Sequence, residues 1–542
     1  MIGLYFPLSF VTGENSPEKQ NKEGSVFYDK IADDPNQCHD DEDVQCDPEY
    51  PYRTFNGTCN NPDYPLWGRA NECYLRILPA FYDGFEGERK STQGGPLPQP
   101  RDITLNIVST KQRLARKITY MFSVYGQTVA HDCSMAPEEQ GSVPCCGPES
   151  KNDASCISIA VRPDDPFFSK FNVTCLELSR TQKCNSCNTE KREQINRSTT
   201  SLDASIVYGT NDDRANSLRT LDGTGKMIIS STENGNLLPI NTSDTTDIFC
   251  TEEEKSESKC FYSGDARVNQ HVLLTTMQTV FVREHNRIAS VLKTLNPQWE
   301  EEQLYQEARR INIAQIQCIT YKEYLPVLLG SELMQKYGLT VLDGPAGTKY
   351  DANIRLSTWN VFAAAIFRIH SMVASDVGVP HLKFRDYYSN PDLIWNGTMN
   401  GMVKGVCKVP SAMYDNRYTV DTIDYLYKSV EDVDLQTGAQ LEDHFPGSLV
   451  GPTAACILAK QFRVFKFGDR FYFEHEGEVP SFTPEQRETL KLTSLSRLLC
   501  DNLNISRIQR NTMLRESLGN PKVSCDKLPR MDLTLWKETD LG

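Results

Sequence analysis

Two stretches carry the clearest order in this chain. Between about 268 and 294, Val272, Leu273, Met277, Val280, Phe281, Ile288 and Leu292 recur at three- and four-residue steps; between 301 and 329, Leu304, Ala308, Ile311, Ala314 and Cys318 do the same. Such spacing gathers apolar side chains on one face of a helix, so both stretches are predicted to be long helices. Further helices are predicted over 103–131, 354–374 and 449–462. The period-two alternation of a half-buried strand is scarce. Residues 51–101 are crowded with Pro, Gly, Asn and Tyr, which marks loops held by local bridges. Residues 12–50 are polar and acidic without a sustained period. No repeat or low-complexity linker divides the chain. The pattern predicts a mainly α fold: a short apolar start and loosely ordered acidic leader over 1–50, then one large domain over 51–542 with long disulfide-pinned loops.

Composition narrows the classes of function. Apolar residues make up 39% and charged residues 24% of the 542 positions, enough to build a core. The net charge of −15 opposes binding to a polyanion over a broad surface, and nucleic acid is not an expected partner. No apolar run reaches the roughly 18–20 residues a membrane-spanning helix needs.

The 18 cysteines change the picture most. A chain with so many belongs in an oxidising compartment, where they act as staples. Six N-x-S/T sequons, at Asn56, Asn172, Asn196, Asn241, Asn396 and Asn504, agree with a secretory route. Met1–Val11 is apolar enough for a very short secretion signal, although it lacks a basic start and a clear cleavage site. Cys184 and Cys187 form a Cys-x-x-Cys, but no second pair lies at zinc-finger spacing, so disulfide use is the better reading.

Eight histidines make the search for a site short. His131 lies in Gly126-Gln127-Thr128-Val129-Ala130-His131-Asp132 and reads either as a site residue or as a surface or capping pair with Asp132. His370 follows the apolar run Ala363-Ala364-Ala365-Ile366-Phe367-Arg368-Ile369; it reads as a core histidine, or as a ligand on a segment small enough for a flat cofactor to approach. Arg267, in Ser263-Gly264-Asp265-Ala266-Arg267, follows a turn and cap and could equally be a solvated first-turn residue. Thr199-Thr200-Ser201-Leu202-Asp203-Ala204-Ser205 carries oxygen at alternate side chains, a pattern that suits calcium as well as an ordinary capping loop.

Taken in order, these elements resemble the animal haem peroxidases of the peroxidase–cyclooxygenase superfamily, and within it the invertebrate peroxinectin-like or chorion-type branch. The likeness runs from about Tyr52 to Cys525. It is carried by Tyr52-Arg53-Thr54, Cys59-Asn60-Asn61, Asp164-Asp165-Pro166-Phe167, Asp203-Ala204-Ser205 through Tyr208-Gly209, Gly264-Asp265-Ala266-Arg267, Arg283-Glu284-His285-Asn286-Arg287, Gly468-Asp469-Arg470-Phe471 and Leu499-Cys500-Asp501-Asn502.

The resemblance implies that His131, Gln127 and Arg267 are the catalytic residues over a haem, that His370 is its axial ligand, and that Asp132, Thr199, Ser201 (through its carbonyl), Asp203 and Ser205 hold calcium. It also implies bridges Cys59–Cys73, Cys250–Cys260 and Cys456–Cys500. Where many relatives carry an Asp and a Glu ester-linked to haem, this chain has Ala130 and Gln270, which implies haem b without those links. Arg368 stands one place nearer His370 than the family's arginine, and on a regular helix one residue turns about 100°, aiming it elsewhere. A family segment, containing the Asn that bonds the proximal histidine and an Arg near a haem propionate, is missing near 419–424. The expected activity is that of a secreted peroxidase using hydrogen peroxide on small phenolic, catecholic or tyrosyl donors. The alternative is a catalytically impaired adhesion or matrix protein with an extracellular-matrix or cell-surface partner; no Arg-Gly-Asp or Lys-Gly-Asp occurs to support integrin binding.

Overall fold

The computed structural model describes residues 44–538 apart from 78, 108–112, 140–143, 185–190, 243–248, 251–255, 258, 375–376, 378–381, 384–385, 387, 389, 396, 398, 414–424 and 428. Most of the 1–50 leader, and the position of the family segment expected near 419–424, therefore lie outside the described residues.

Helices dominate, and the predicted long pair forms the centre. Helix Val272–Leu295 starts where the ring Nδ1 of His271 accepts the Leu273 N–H at 3.2 Å, and ends at Asn296 before Pro297. Helix Glu301–Ile319 opens with Glu301 and Glu302, whose charges suit the positive helix N-terminus. The two lie side by side, with Val280, Phe281, Ile288 and Leu292 of the first and Leu304, Ala308, Ile311 and Cys318 of the second fully buried. Beyond Ile319 the chain does not continue as one α-helix to 329: a π-helical turn, Thr320–Tyr324, precedes Leu325–Leu329. Helix Pro452–Phe467 extends the predicted 449–462 by one turn.

Two predicted helices break. The stretch 103–131 is a helix, Pro100–Ile107, then a strand, Arg113–Thr119, then a helix, Tyr120–Cys133. The strand forms because Pro410–Met413, about 300 residues away, supplies its antiparallel partner, a pairing that local periodicity cannot reveal. In 354–374, a π-helical turn at Phe362–Ile366 ends at Phe367, and His370–Met372 is a short 3₁₀ turn. His370 therefore does not sit on a regular helix, and the 100° displacement argued for Arg368 does not apply.

Six disulfides lie among the described residues. Cys250–Cys260 is as the resemblance implied. Cys59 pairs instead with Cys46, and Cys73 with Cys184, because Glu72–Cys73 and Lys183–Cys184 both pair with the strand Glu193–Asn196. This removes Cys184 from any zinc site; Cys187 lies outside the described residues. Cys456 is unbridged, its thiol 3.7 Å from the Tyr337 hydroxyl. Cys500 pairs with Cys525, which the antiparallel strands Arg507–Gln509 and Lys522–Ser524 bring to a Cα separation of 5.8 Å. Sequons divide likewise. Asn172 and Asn504 are exposed, whereas Asn196 is buried, its amide donating to the Cys133 carbonyl and accepting from the Met135 N–H, which leaves no room for a glycan.

The ends of the domain meet at one buried ion pair. Arg53 donates both arms of its guanidinium to Asp469, at 2.8 and 2.6 Å, and Asn60 and Gln317 donate to the same carboxylate. Removing one partner of such a pair strands the other charge, so Asp469→Ala should cost about 3–5 kcal/mol of stability in chemical unfolding; a loss below about 1 kcal/mol would contradict the reading. Non-reducing peptide mapping should recover Cys73 linked to Cys184 and Cys500 linked to Cys525, with Cys456 alkylated as a free thiol once the chain is unfolded.

Candidate haem site

The helix Tyr120–Cys133 builds one wall of a cavity. Ser123, Gln127, Ala130, His131 and Ser134 recur at three- and four-residue steps and all line it. The cavity holds about 650 Å³, within the range of cofactor pockets of roughly 300–1,000 Å³. A second wall comes from Arg267, Gln270 and His271, a third from Phe362, Ala363 and Phe367 through His370, and Tyr324 and Tyr388 complete it. Gly126 is required here: a Cβ would come within 2.5 Å of the Tyr324 hydroxyl, and that ring stacks on Phe122.

All four residues singled out for haem chemistry thus meet at one cavity, although they span 127 to 370. His131 is buried, and its Nδ1 has no hydrogen-bond partner among the described residues. Burial, then the Arg267 charge, holds its pKa well below the ordinary imidazole range, so the ring is neutral near pH 7. Arg267 is anchored rather than solvated. Its Nε and Nη2 donate to Asp265, and the guanidinium also donates to the carbonyls of His131 at 2.9 Å and Ser134 at 3.0 Å. Of its five N–H groups, four are committed among the described residues and one, on Nη1, is not. Asp265 also caps the turn, as its position in the sequence implied.

Gln127 is held from two sides. Its Oε1 accepts from the His271 ring at 2.8 Å, and its Nε2 donates to Gln270 at 3.1 Å. Ala130 and Gln270 both line the cavity, and neither side chain can form an ester with a cofactor. His370 opens onto the cavity and is exposed to it; desolvation by the surrounding protein, then the Arg368 charge, lowers its pKa to about 4. No side chain among the described residues hydrogen-bonds its ring. Arg368 lines the same wall and has no carboxylate partner among the described residues.

The calcium candidates lie behind the first wall. Asp132 and Asp203 are both buried, with carboxyl pKa values raised: Asp132 by burial and then the Asp203 charge, Asp203 by burial against the lowering pull of Arg53 and Arg309. Thr199 and Ser201 donate to Asp203 at 2.8 and 3.0 Å, and Ser205 donates to the Asp132 carbonyl at 3.0 Å. The five residues converge, and the two enclosed carboxylates, with no salt-bridge partner among the described residues, form a donor set that suits a hard cation. Ala204 adopts a left-handed conformation (φ 58°) that turns its N–H onto Asp132 at 3.0 Å. Gly264 lets the Asp265–Arg267 turn close on this loop, since a Cβ there would strike the Ser205 carbonyl and the Gly209 N–H.

Other histidines keep the plain reading. His285 bonds Tyr208 and the Gly225 carbonyl, and His475 bonds Thr348 and the Lys466 carbonyl. Among the cavity residues not selected from the sequence are His271, Tyr324 and Tyr388. His271, directly after Gln270, was open to selection because it is one of only eight histidines. Tyr324 and Tyr388 carried no local signal.

The animal haem peroxidase family model matches residues 52–426 and 416–513. The chain belongs to the animal haem peroxidase family. It is 32% identical to a peroxidase of Drosophila melanogaster, covering 90% of this chain and 83% of that one, and 32% identical to the chorion peroxidase of the same species, covering 90% and 71%. Peroxidase A of Dictyostelium discoideum has the same fold, with a TM-score of 0.68 at 22% identity over 86% of this chain and 99% of that one.

Proposed function

We propose that this family member is a secreted, calcium-containing haem peroxidase that uses hydrogen peroxide to oxidise small phenolic or catecholic donors or tyrosyl side chains. One observation carries the reading: His131, Gln127, Arg267 and His370 line a single cavity of cofactor size, with an unpartnered buried nitrogen on His131. Haem b, when bound, supplies the redox chemistry, passing the oxidising power of peroxide to donors one electron at a time. His370 is the residue to bind its iron, and Arg368 is the uncommitted cation on that wall. His131, neutral at working pH, accepts the proton of the incoming peroxide and returns it to the departing oxygen, a contribution of typically 10²–10⁴-fold. Arg267, fixed by Asp265 and two carbonyls, keeps one N–H for the negative charge that develops as the O–O bond lengthens. Asp132 couples the two sites, because it follows His131 in the chain and its carboxylate belongs to the calcium set. Six disulfides support an oxidising compartment. No helix among the described residues is long and apolar enough to cross a membrane.

A second reading, a catalytically impaired extracellular adhesion or matrix protein on the same fold, is favoured by the surroundings of His370. Its ring receives no hydrogen bond among the described residues, and the family match divides at 416–426. The alignments to the two Drosophila proteins, 579 and 577 positions long, exceed the 542 residues of this chain, so the relatives carry residues that it lacks. A ligating histidine without its supporting partner loses roughly 10–100-fold in comparable metal sites.

An absorption spectrum of the chain secreted by an animal cell line supplied with haem separates the readings: a near-stoichiometric Soret band supports the peroxidase, and a folded protein without one supports the second reading. His370→Ala should secrete normally and lose the band. Arg267→Ala should keep the band and turn over peroxide about 10²–10³-fold more slowly; full activity would remove Arg267 from the chemistry. Asp203→Ala should lower calcium content, measured by elemental mass spectrometry, together with thermal stability. If neither changes, the 199–205 loop is an ordinary cap.

A further inference from the structure

We infer that His271 is a positioning residue for Gln127, fixing which end of the glutamine amide faces the cavity. The inference rests on the haem reading for its consequence, but its geometry stands on this chain alone.

Four side chains form one hydrogen-bonded file along the cavity wall. His271 Nε2 meets Gln127 Oε1 at 2.8 Å, Gln127 Nε2 meets Gln270 Oε1 at 3.1 Å, and Gln270 Nε2 meets the Tyr388 hydroxyl at 3.4 Å. Nothing within a glutamine amide sets its own direction, because its two ends are nearly the same shape. The direction comes from the backbone. The Leu273 N–H, one of the free donors at the start of helix Val272–Leu295, can only donate, and it donates to His271 Nδ1. Nδ1 is therefore the acceptor and the ring hydrogen sits on Nε2, where it donates to Gln127 Oε1. His271 is 4% exposed, and burial lowers its pKa to about 3, so the ring stays neutral and keeps this tautomer. Reversing the Gln127 amide would set N–H against N–H at His271, a mismatch that the fixed ring cannot relieve, and would force the Gln270 amide to reverse with it.

The outcome is a polarised cavity. One Gln127 N–H goes to Gln270 and the other remains, alongside the uncommitted N–H of Arg267. With its oxygen turned to His271, Gln127 offers a donor to the cavity, favouring a small anion or an oxygen lone pair over a cation.

Two measurements test this. With ring-¹⁵N histidine, His271 should give the Nε2–H tautomer with unprotonated Nδ1 at pH 7, with or without haem. An Nδ1–H tautomer or a charged ring would overturn the proposal independently of cofactor binding. The second uses haem-loaded protein and fluoride as the probe anion. Asn at 271 can still cap the helix through Oδ1, since Asn is among the preferred capping residues, but is too short to reach Gln127. His271→Asn should keep the Soret band and thermal stability while raising the fluoride Kd by about tenfold, the loss common when a supporting partner is removed. In a Gln127→Leu background the same change should add nothing, because the effect acts through Gln127. An unchanged Kd with full haem, or an equal loss in the Gln127→Leu background, would sink it. A wild-type chain with no Soret band rejects the haem reading instead, and the tautomer measurement still decides the fate of His271.

Discussion

Asp469 holds the domain together. Its carboxylate is wholly buried and receives Arg53 through two parallel hydrogen bonds, Asn60, Gln317 and the Phe471 N–H. Those partners come from the first described loops, the second central helix and the turn after helix Pro452–Phe467. The Gln317 amide that reaches Asp469 also donates to the Leu202 carbonyl, in the loop of calcium candidates. Arg309, about two turns away on the same helix, binds the carbonyls of Arg53 and Thr54 and lies 4.2 Å over the Phe55 ring. A charge buried this deeply is tolerable only when it is well hydrogen-bonded, which draws three distant segments to one point.

The same requirement reaches the cavity. Arg53 and Arg309 lower the cost of keeping Asp203 ionised, Asp203 sits in the loop whose Ala204 and Ser205 bond Asp132, and Asp132 is the neighbour of His131. Arg267 then clamps the end of that helix through the His131 and Ser134 carbonyls. The distal residues are thus held from behind by charge and in front by hydrogen bonds. The wall carrying His370 is different in kind. It is made of a π-helical turn and a short 3₁₀ turn, with apolar support from Phe362, Phe367 and Phe462, and without a polar partner for the histidine ring among the described residues. The two halves of the site are unequal: one over-determined, one resting on packing.

That asymmetry frames the choice between catalysis and a purely structural role. Under the proposed function, proton handling and charge stabilisation fall to His131 and Arg267, which line the cavity beside Gln127. Holding an iron ligand at the right basicity needs a supporting partner, and His370 has none among the described residues. Without Asp or Glu at 130 and 270, no ester linkage is available to compensate, so cofactor retention depends on His370 and the fit of the cavity.

Much of this was legible in the residues. The two central helices were set by apolar spacing, because each buries one face against the other, and the order of motifs identified the family and singled out four residues that the fold brings to one cavity. Sequence also showed that Ala130 and Gln270 cannot form esters. It could not show the strand at Arg113–Thr119, whose partner lies about 300 residues away, nor the breaks at Thr320–Tyr324 and Phe362–Ile366, since π turns answer to tertiary packing rather than local preference. Disulfide pairing failed at Cys59, Cys73 and Cys456 because pairing follows Cα separation in the folded chain, not order along it. His271 marks the boundary: its position beside Gln270 was written in the sequence, but its role needed the helix start that sets its tautomer and the fold that sets Gln127 against it.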